Sequence, residues 1–235
     1  ILSLLKAGLP EDYALFVPGN HDIVDSLVEE SDFSLVFGNE STVNQYKNNK
    51  KVITRGPGYS KIYWETEFEE NYNNQIKEMI IDSVISDGGM KCFNTSGIVY
   101  KKSNQLHMES IYDTILSKTC KGFFDYDTDL PLFTIDNAVS ISKYLENMLS
   151  SKDIIRVNNE NKEFFIDFGN GVCAMKPFII KVKNFTDLVS KFELPFPAFW
   201  AYEFEKDIDF SILKNSLTLT FFSDNVSIKT SALHE

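Results

Sequence analysis

Histidine and cysteine are scarce in this chain, with three of each among 235 residues. His21, His107 and His234 stand far apart and without metal-ligand spacing, which argues against metal catalysis. Cys92, Cys120 and Cys173 form no C-x-x-C pair and are odd in number. That excludes a zinc module and a disulfide scaffold and favours a reduced, cytoplasmic protein. Cations are also short, 23 Lys and Arg against 34 Asp and Glu, for a net charge of −11. A general nucleic-acid binder needs clustered positive charge, so that class is excluded as well. No apolar run approaches the ~20 residues of a membrane span. Neither G-x-G-x-x-G nor a Walker-type phosphate loop occurs. The chain opens on Ile1-Leu-Ser-Leu-Leu without Met or a signal-peptide layout, and reads as the tail of a helix already under way. A piece of something longer is the expectation.

What remains is rich in aromatics, 20 Phe and 10 Tyr, and patterned as alternating short strands and helices. Residues 1–60 read as helix Ile1–Ala7, strand Tyr13–Val17, helix Asp22–Glu30, strand Phe33–Phe37, helix Ser41–Tyr46 and strand Lys51–Thr54. Such alternation implies a doubly wound parallel sheet, whose carboxyl edge is where ligands bind. Turns carrying Gly19, Gly38-Asn39-Glu40 and Gly56-Pro57-Gly58 follow those strands, and helix starts there could face phosphates. Asp22 and Glu40 begin helices, where a carboxylate complements the macrodipole without any functional role.

Beyond Tyr59–Trp64, an expected strand, the helices lengthen. Glu69–Ile85, Gln105–Cys120 and Asp136–Ser151 carry apolar residues at helical spacing. Strands are expected within Ile154–Ala174 and at Phe178–Val182, Phe199–Tyr202 and Leu217–Phe222, with helices over Asn184–Lys191 and Asp207–Lys214. The acidic run Asp125–Asp129 lacks the glycine and terminal Glu of a calcium loop and reads as solvated.

The stretch Ser86–Tyr100 carries the chemistry. It ends a long helix, turns on Gly88-Gly89, presents Cys92 and runs into a strand. A cysteine so placed can expose its sulfur at a cleft as a covalent nucleophile, with Lys91 favouring the thiolate. Beside Phe93 it could equally be a buried core thiol. Cys120 and Cys173 read as structural, and His107 and His234 as surface. His21, after Pro-Gly-Asn, could reach a phosphate or simply be exposed.

The order of Phe16-Val-Pro-Gly19, Ser31–Val43, Arg55-Gly-Pro-Gly-Tyr-Ser60 and the Cys92 segment resembles the aldehyde dehydrogenase superfamily. More narrowly, it is similar to the acyl-CoA reductases, a family that includes the reductase subunit of the bacterial bioluminescence fatty-acid reductase complex. The resemblance implies an α/β fold: the C-terminal part of a doubly wound Rossmann-like cofactor domain over 1–60, then an α/β catalytic cysteine domain over 61–235, with the boundary near 58–68. It implies NADPH or NADH as cofactor, bound around Gly19, Gly38, Asn39, Glu40, Gly56, Pro57 and Gly58, and Cys92 as the acyl-carrying nucleophile. An acyl-CoA or acyl-protein substrate follows from it, as does a homo-oligomer or a partner enzyme of fatty-acid reduction. Thr54-Arg55 replaces the glutamate that activates water in aldehyde-oxidising members, which matches the CoA-acylating branch. Cys173-Ala-Met-Lys-Pro177 stands where a Glu-x-Phe-Gly-Pro motif contacts the cofactor, and only the proline is kept. The oxyanion-hole asparagine and first strands of the cofactor half have no counterpart. Two alternatives therefore stand beside acyl-CoA reduction: a degenerate domain with a structural or binding role, and reduction of another activated acyl group such as an acyl phosphate.

Overall fold

A computed structural model describes residues 2–19, 22–122, 130–157 and 163–225. His21, His234 and the acidic run 125–129 lie outside the described residues. The chain divides into two compact units, Ile1–Pro57 and Gly58–Glu235.

The first unit contains α1 (Leu2–Lys6), α2 (Asp22–Glu30), β1 (Ser34–Phe37), α3 (Glu40–Tyr46) and β2 (Val52–Arg55). Strands β1 and β2 pair in parallel, Ser34 opposite Val52 and Phe37 opposite Arg55. A parallel pair needs a crossover, and α3 supplies it. The Tyr46 hydroxyl and the Gln45 amide both bond Asp25, which joins α3 to α2. The strand expected at Tyr13–Val17 does not form. Glu11–Tyr13 is a single 3-10 turn, and Leu15 and Phe16 are exposed without a partner strand. Apolar residues there satisfy the pattern, but a strand exists only where a neighbour offers a ladder.

The second unit is built on a six-stranded sheet in the order β11-β3-β4-β10-β9-β6. Its strands are β3 (Ser60–Trp64), β4 (Thr95–Lys101), β6 (Ile154–Arg156), β9 (Phe178–Val182), β10 (Ala198–Phe204) and β11 (Leu219–Phe222). All pairings are parallel except β6 with β9. Helices α4 (Glu70–Ile85) and α5 (Gln105–Leu116) pack on one face, and α6 (Ile135–Leu149) on the other. A smaller antiparallel sheet joins β5 (Leu132–Thr134), β8 (Val172–Met175) and β7 (Phe165–Asp167). One further turn of helix, α7, covers Asp187–Ser190.

The strand alternation divides the core. Ile62, Trp64, Ile98, Tyr100, Ile179 and Phe199 point to α4 and α5, where Ile76, Ile80, Met108 and Ile111 meet them. Tyr63, Val99, Ile180 and Trp200 point to α6, against Ala138, Leu145 and Met148. Central strands buried on both faces read as continuous apolar runs, as these do. Gly97 pairs with Trp200 across β4 and β10, and a Cβ there would come within 2.8 Å of the indole Nε1. Only glycine leaves room for that ring.

Several helices are shorter than their patterns suggest. α5 stops at Leu116, so Cys120 lies beyond it; the helix expected over Asp207–Lys214 is a 3-10 turn at Phe210–Leu213. Among the described residues no helix is long and apolar enough to cross a membrane, and no cluster of His, Cys, Asp and Glu could hold a metal.

Candidate active site

Helix α4 ends because Asp87, Gly88 and Gly89 all adopt positive φ, at 51°, 69° and 69°. Such a run cannot continue a right-handed helix, and two glycines take it at little cost. A side chain at Gly89 would come within 2.7 Å of the backbone between Phe196 and Pro197, so this turn is wedged against the entry to β10. Cys92 follows in the turn that leads to β4, half-buried, whereas Cys120 and Cys173 are buried.

Asn94 holds the Cys92 turn in shape. Its side-chain oxygen accepts from the Lys91 N–H at 2.7 Å, while its amide donates to the Ser83 and Ser86 carbonyls at 3.0 Å each. The Asn94 N–H closes the turn on the Lys91 carbonyl at 2.9 Å. A buried asparagine with both ends satisfied ties the last turn of α4 to the start of β4.

The other side of the turn rests on the segment before β3. Ser60 Oγ donates to the Cys92 carbonyl at 3.0 Å. Gly58 is buried directly against that carbonyl: a Cβ there would fall on the oxygen and 2.6 Å from the carbon. The Gly58 and Tyr59 N–H groups both donate to one carboxylate oxygen of Glu193, at 2.8 and 2.6 Å. Tyr59 itself has φ of 45°, an uncommon conformation for a non-glycine residue. Beneath it, the Lys61 ammonium donates to the Tyr59 and Lys214 carbonyls and to Ser216 Oγ, at 2.9, 3.0 and 3.0 Å.

Burial lowers the Lys61 pKa to about 8, and the nearby Glu193 carboxylate only partly offsets this. Burial likewise raises the Glu193 pKa, against the opposing pull of the Tyr59 and Gly58 N–H groups and of Lys61. Burial, with Asp167 adding to it, raises the Cys173 thiol. A thiol shielded in this way is a poor nucleophile.

The residues singled out from sequence are distributed across both units. Gly58 packs against the Cys92 turn. Lys91, expected to favour the thiolate, instead pairs with Asp87 one turn back and lies 5.2 Å over the Phe93 ring. Glu193, Ser60, Lys61 and Asn94 were not singled out. Only Asn94, a polar residue next to a turn and at a strand start, left a local signal. His107 is half-buried and stacks on Trp64 at 5.8 Å rather than lying free on the surface.

In the first unit, Gly38 immediately precedes the cap of α3, and a Cβ there would press on Thr42 at 2.6 Å. Asn39 caps that helix, its side-chain oxygen taking the Thr42 N–H at 3.1 Å, and Glu40 follows in the first turn. Gly19 packs against the Ile23 side chain and Gly56 against Val43, so a Cβ at either would make that neighbour shift. Pro57 ends the unit, half-buried. In the second unit, Cys173 and Met175, at the positions of the missing Glu-x-Phe pair, are fully buried in the core and present nothing to a ligand.

The arrangement can expose one thiol on a rigid turn. Among the described residues no base is hydrogen-bonded to the Cys92 sulfur.

No protein-family model matches the chain, and no curated protein matches it. Solved structures do. The NAD+ complex of an aldehyde dehydrogenase from Bacillus cereus is 15% identical with a TM-score of 0.73, covering 97% of this chain and 48% of that one. A glyceraldehyde-3-phosphate dehydrogenase from Methanocaldococcus jannaschii, complexed with NADP, is 16% identical with a TM-score of 0.75, over 99% and 51%. A betaine aldehyde dehydrogenase from Staphylococcus aureus, in complex with NAD+, is 13% identical with a TM-score of 0.73, over 98% and 48%. The chain therefore has the fold of aldehyde dehydrogenases and spans about half the length of these relatives.

Proposed function

We propose that Cys92 takes an acyl group from an acyl-CoA thioester as the first half of an NAD(P)H-dependent reduction to an aldehyde. The observation that carries this reading is the contrast among the three thiols. Cys92 is accessible on a turn fixed from both sides, and the other two are buried.

Acyl exchange between thiolates needs no bonded base. The Cys92 thiolate attacks the acyl carbon, the carbon–sulfur bond to CoA breaks, and CoA leaves as a thiolate. One thioester replaces another and one thiolate replaces another, so no net proton transfer is needed. The thiolate, not the thiol, is the attacking form. Hydrolysis would need an activated water, and Thr54-Arg55 offers no carboxylate for that.

The neighbours with this fold bind NAD+ or NADP. When bound, a nicotinamide cofactor supplies the hydride that takes the thioester to the aldehyde. The start of α3 fits a dinucleotide in topology, since it follows a parallel strand through a turn that carries Gly38. Gly38 and Asn39 would lie toward the pyrophosphate. Glu40, an anion, would have to turn to a ribose hydroxyl.

The test is acylation of the full chain by a long-chain acyl-CoA, read by peptide mass spectrometry and by released CoA thiol. The expected result is a single acyl adduct on the Cys92 peptide, lost in Cys92→Ala. No adduct at Cys92, or equal labelling of the variant, overturns the reading. An acyl phosphate that labels Cys92 faster than acyl-CoA would shift the substrate class and keep the nucleophile. The burial of Cys173 and Met175 favours a second reading, a domain that keeps the fold for binding or assembly. It predicts no acylation from either donor.

A further inference from the structure

Two ionisable side chains stand behind the Cys92 turn without a part in the acyl exchange: Lys61, which is buried, and Glu193, which is half-buried. Charges withdrawn from water are costly, and apolar residues of similar volume would serve packing alone at least as well. Glu193 belongs to the segment between α7 and β10, and that segment reaches the Cys92 turn by two routes. Its downstream end, the backbone at Phe196 and Pro197, closes on Gly89, where a Cβ would lie 2.7 Å away. Its upstream end works through Gly58. Glu193 accepts the Gly58 and Tyr59 N–H groups at 2.8 and 2.6 Å, and Gly58 rests directly on the Cys92 carbonyl.

The second route depends on one side chain. Two successive N–H groups that converge on one oxygen form a nest that favours an anion. Such charge-assisted bonds are roughly twice as strong as neutral ones. The nest requires Tyr59 at a φ of 45°, which a non-glycine residue keeps only where its surroundings hold it. Ser60, next in the chain, donates to the Cys92 carbonyl at 3.0 Å. Burial disfavours the charged form of Glu193, and the two N–H groups and Lys61 oppose this.

We infer, on the acyl-transfer reading of Cys92, that Glu193 is a positioning residue for that transfer: through Gly58 and Tyr59 it fixes the backbone of the cysteine that takes the acyl group. Glu193 acts on the sulfur through the main chain alone. A residue of this kind governs the maximal rate and leaves substrate affinity unaltered, because it sets where the attacking atom stands relative to a thioester already bound.

Single-turnover acylation of the full chain is followed over a range of acyl-CoA concentrations, with urea unfolding of each variant measured alongside. Glu193→Ala should lower the maximal rate about a hundredfold, the effect of about 1 Å of misplacement, at an unchanged half-saturating concentration. Glu193→Gln, which keeps an acceptor and loses the charge, should lose less. Acetate should restore the rate of Glu193→Ala saturably by returning a carboxylate to the nest, and chloride at matched ionic strength should not. A role in stability alone lowers the urea midpoint and leaves the folded variant at the wild-type rate, which overturns the positioning role. So does a raised half-saturating concentration at wild-type maximal rate, or a slow Glu193→Ala that acetate leaves unchanged. Where Glu193→Ala fails to fold, Glu193→Gln decides by the same split between maximal rate and half-saturation. Failure of the wild-type chain to acylate at Cys92 overturns the acyl-transfer reading and the role of Glu193 with it; wild-type acylation with unaltered variants overturns the role of Glu193 alone.

Discussion

Gly58→Ala tests how Cys92 is held. The added Cβ would coincide with the Cys92 carbonyl oxygen and lie 2.6 Å from its carbon. Ordinary contact begins near 3.4 Å, so one of the two segments must withdraw by about 1 Å or more. Gly58 is tethered on both sides: its N–H bonds Glu193 at 2.8 Å, and its carbonyl accepts from the Leu217 N–H at 2.7 Å. The Cys92 turn is held by the 3.0 Å bond from Ser60 and by the Asn94 bonds to Lys91, Ser83 and Ser86, so the strain falls on two tethered segments and the Cys92 carbonyl is displaced with either. Overpacking of this kind costs about 1–3 kcal/mol in stability. A nucleophile displaced by about 1 Å loses about a hundredfold in rate. The assay pairs urea unfolding with the single-turnover rate of Cys92 acylation or alkylation. Gly122→Ala is the control, because nothing lies within 4 Å of a Cβ at that position. If Gly58→Ala matches Gly122→Ala in both midpoint and rate, the packing account of the Cys92 turn is refuted.

Under native conditions Cys92 should react with iodoacetamide at least about a hundredfold faster than Cys120 or Cys173, which are 3% and 0% exposed, and the rates should converge in urea. Comparable native rates would remove the basis for a privileged thiol. Asn94→Ala, which strips the bonds to Lys91, Ser83 and Ser86, should cost about 1–3 kcal/mol and slow Cys92 labelling; unchanged chemical denaturation would contradict this. Between about pH 8 and the ordinary lysine value of 10.5, the unfolded chain holds a proton that folded Lys61 has released. Stability should therefore rise with pH across that window, and Lys61→Met should abolish the rise. Glu193 behaves in the opposite sense. Its raised pKa contributes stability below the ordinary carboxylate range, lost as the pH climbs through the folded value. Glu193→Gln should flatten that part of the stability–pH curve, and an unaltered slope would place the titration elsewhere.

Much of the second unit was legible because its signals are local. The run Ile98-Val-Tyr100 is apolar throughout because β4 is covered on both faces, and α4 carries Ile76, Ile80 and Val84 one turn apart. The turn before Cys92 could be read from two adjacent glycines, whose conformational freedom needs no tertiary partner. For Lys91, adjacency in sequence suggested the thiol, but the positive-φ turn folds its ammonium back onto Asp87 and over the Phe93 ring. The Tyr13–Val17 stretch has the composition of a strand and no ladder to join.

Sequence alone determined that a lone cysteine would emerge from a glycine turn between a long helix and a central strand, in an acidic α/β protein without metal-binding pattern. Helix ends and strand periodicity are written in residues a few positions apart. Tertiary structure decided which thiol is accessible, that Gly58 must be glycine because it meets the Cys92 carbonyl, and that a carboxylate 135 residues away fixes Gly58. It also decided that Arg156 lies over two phenylalanine rings. These are contacts between segments distant in the chain, created by the packing of a parallel sheet, whose neighbouring strands come from distant stretches of sequence.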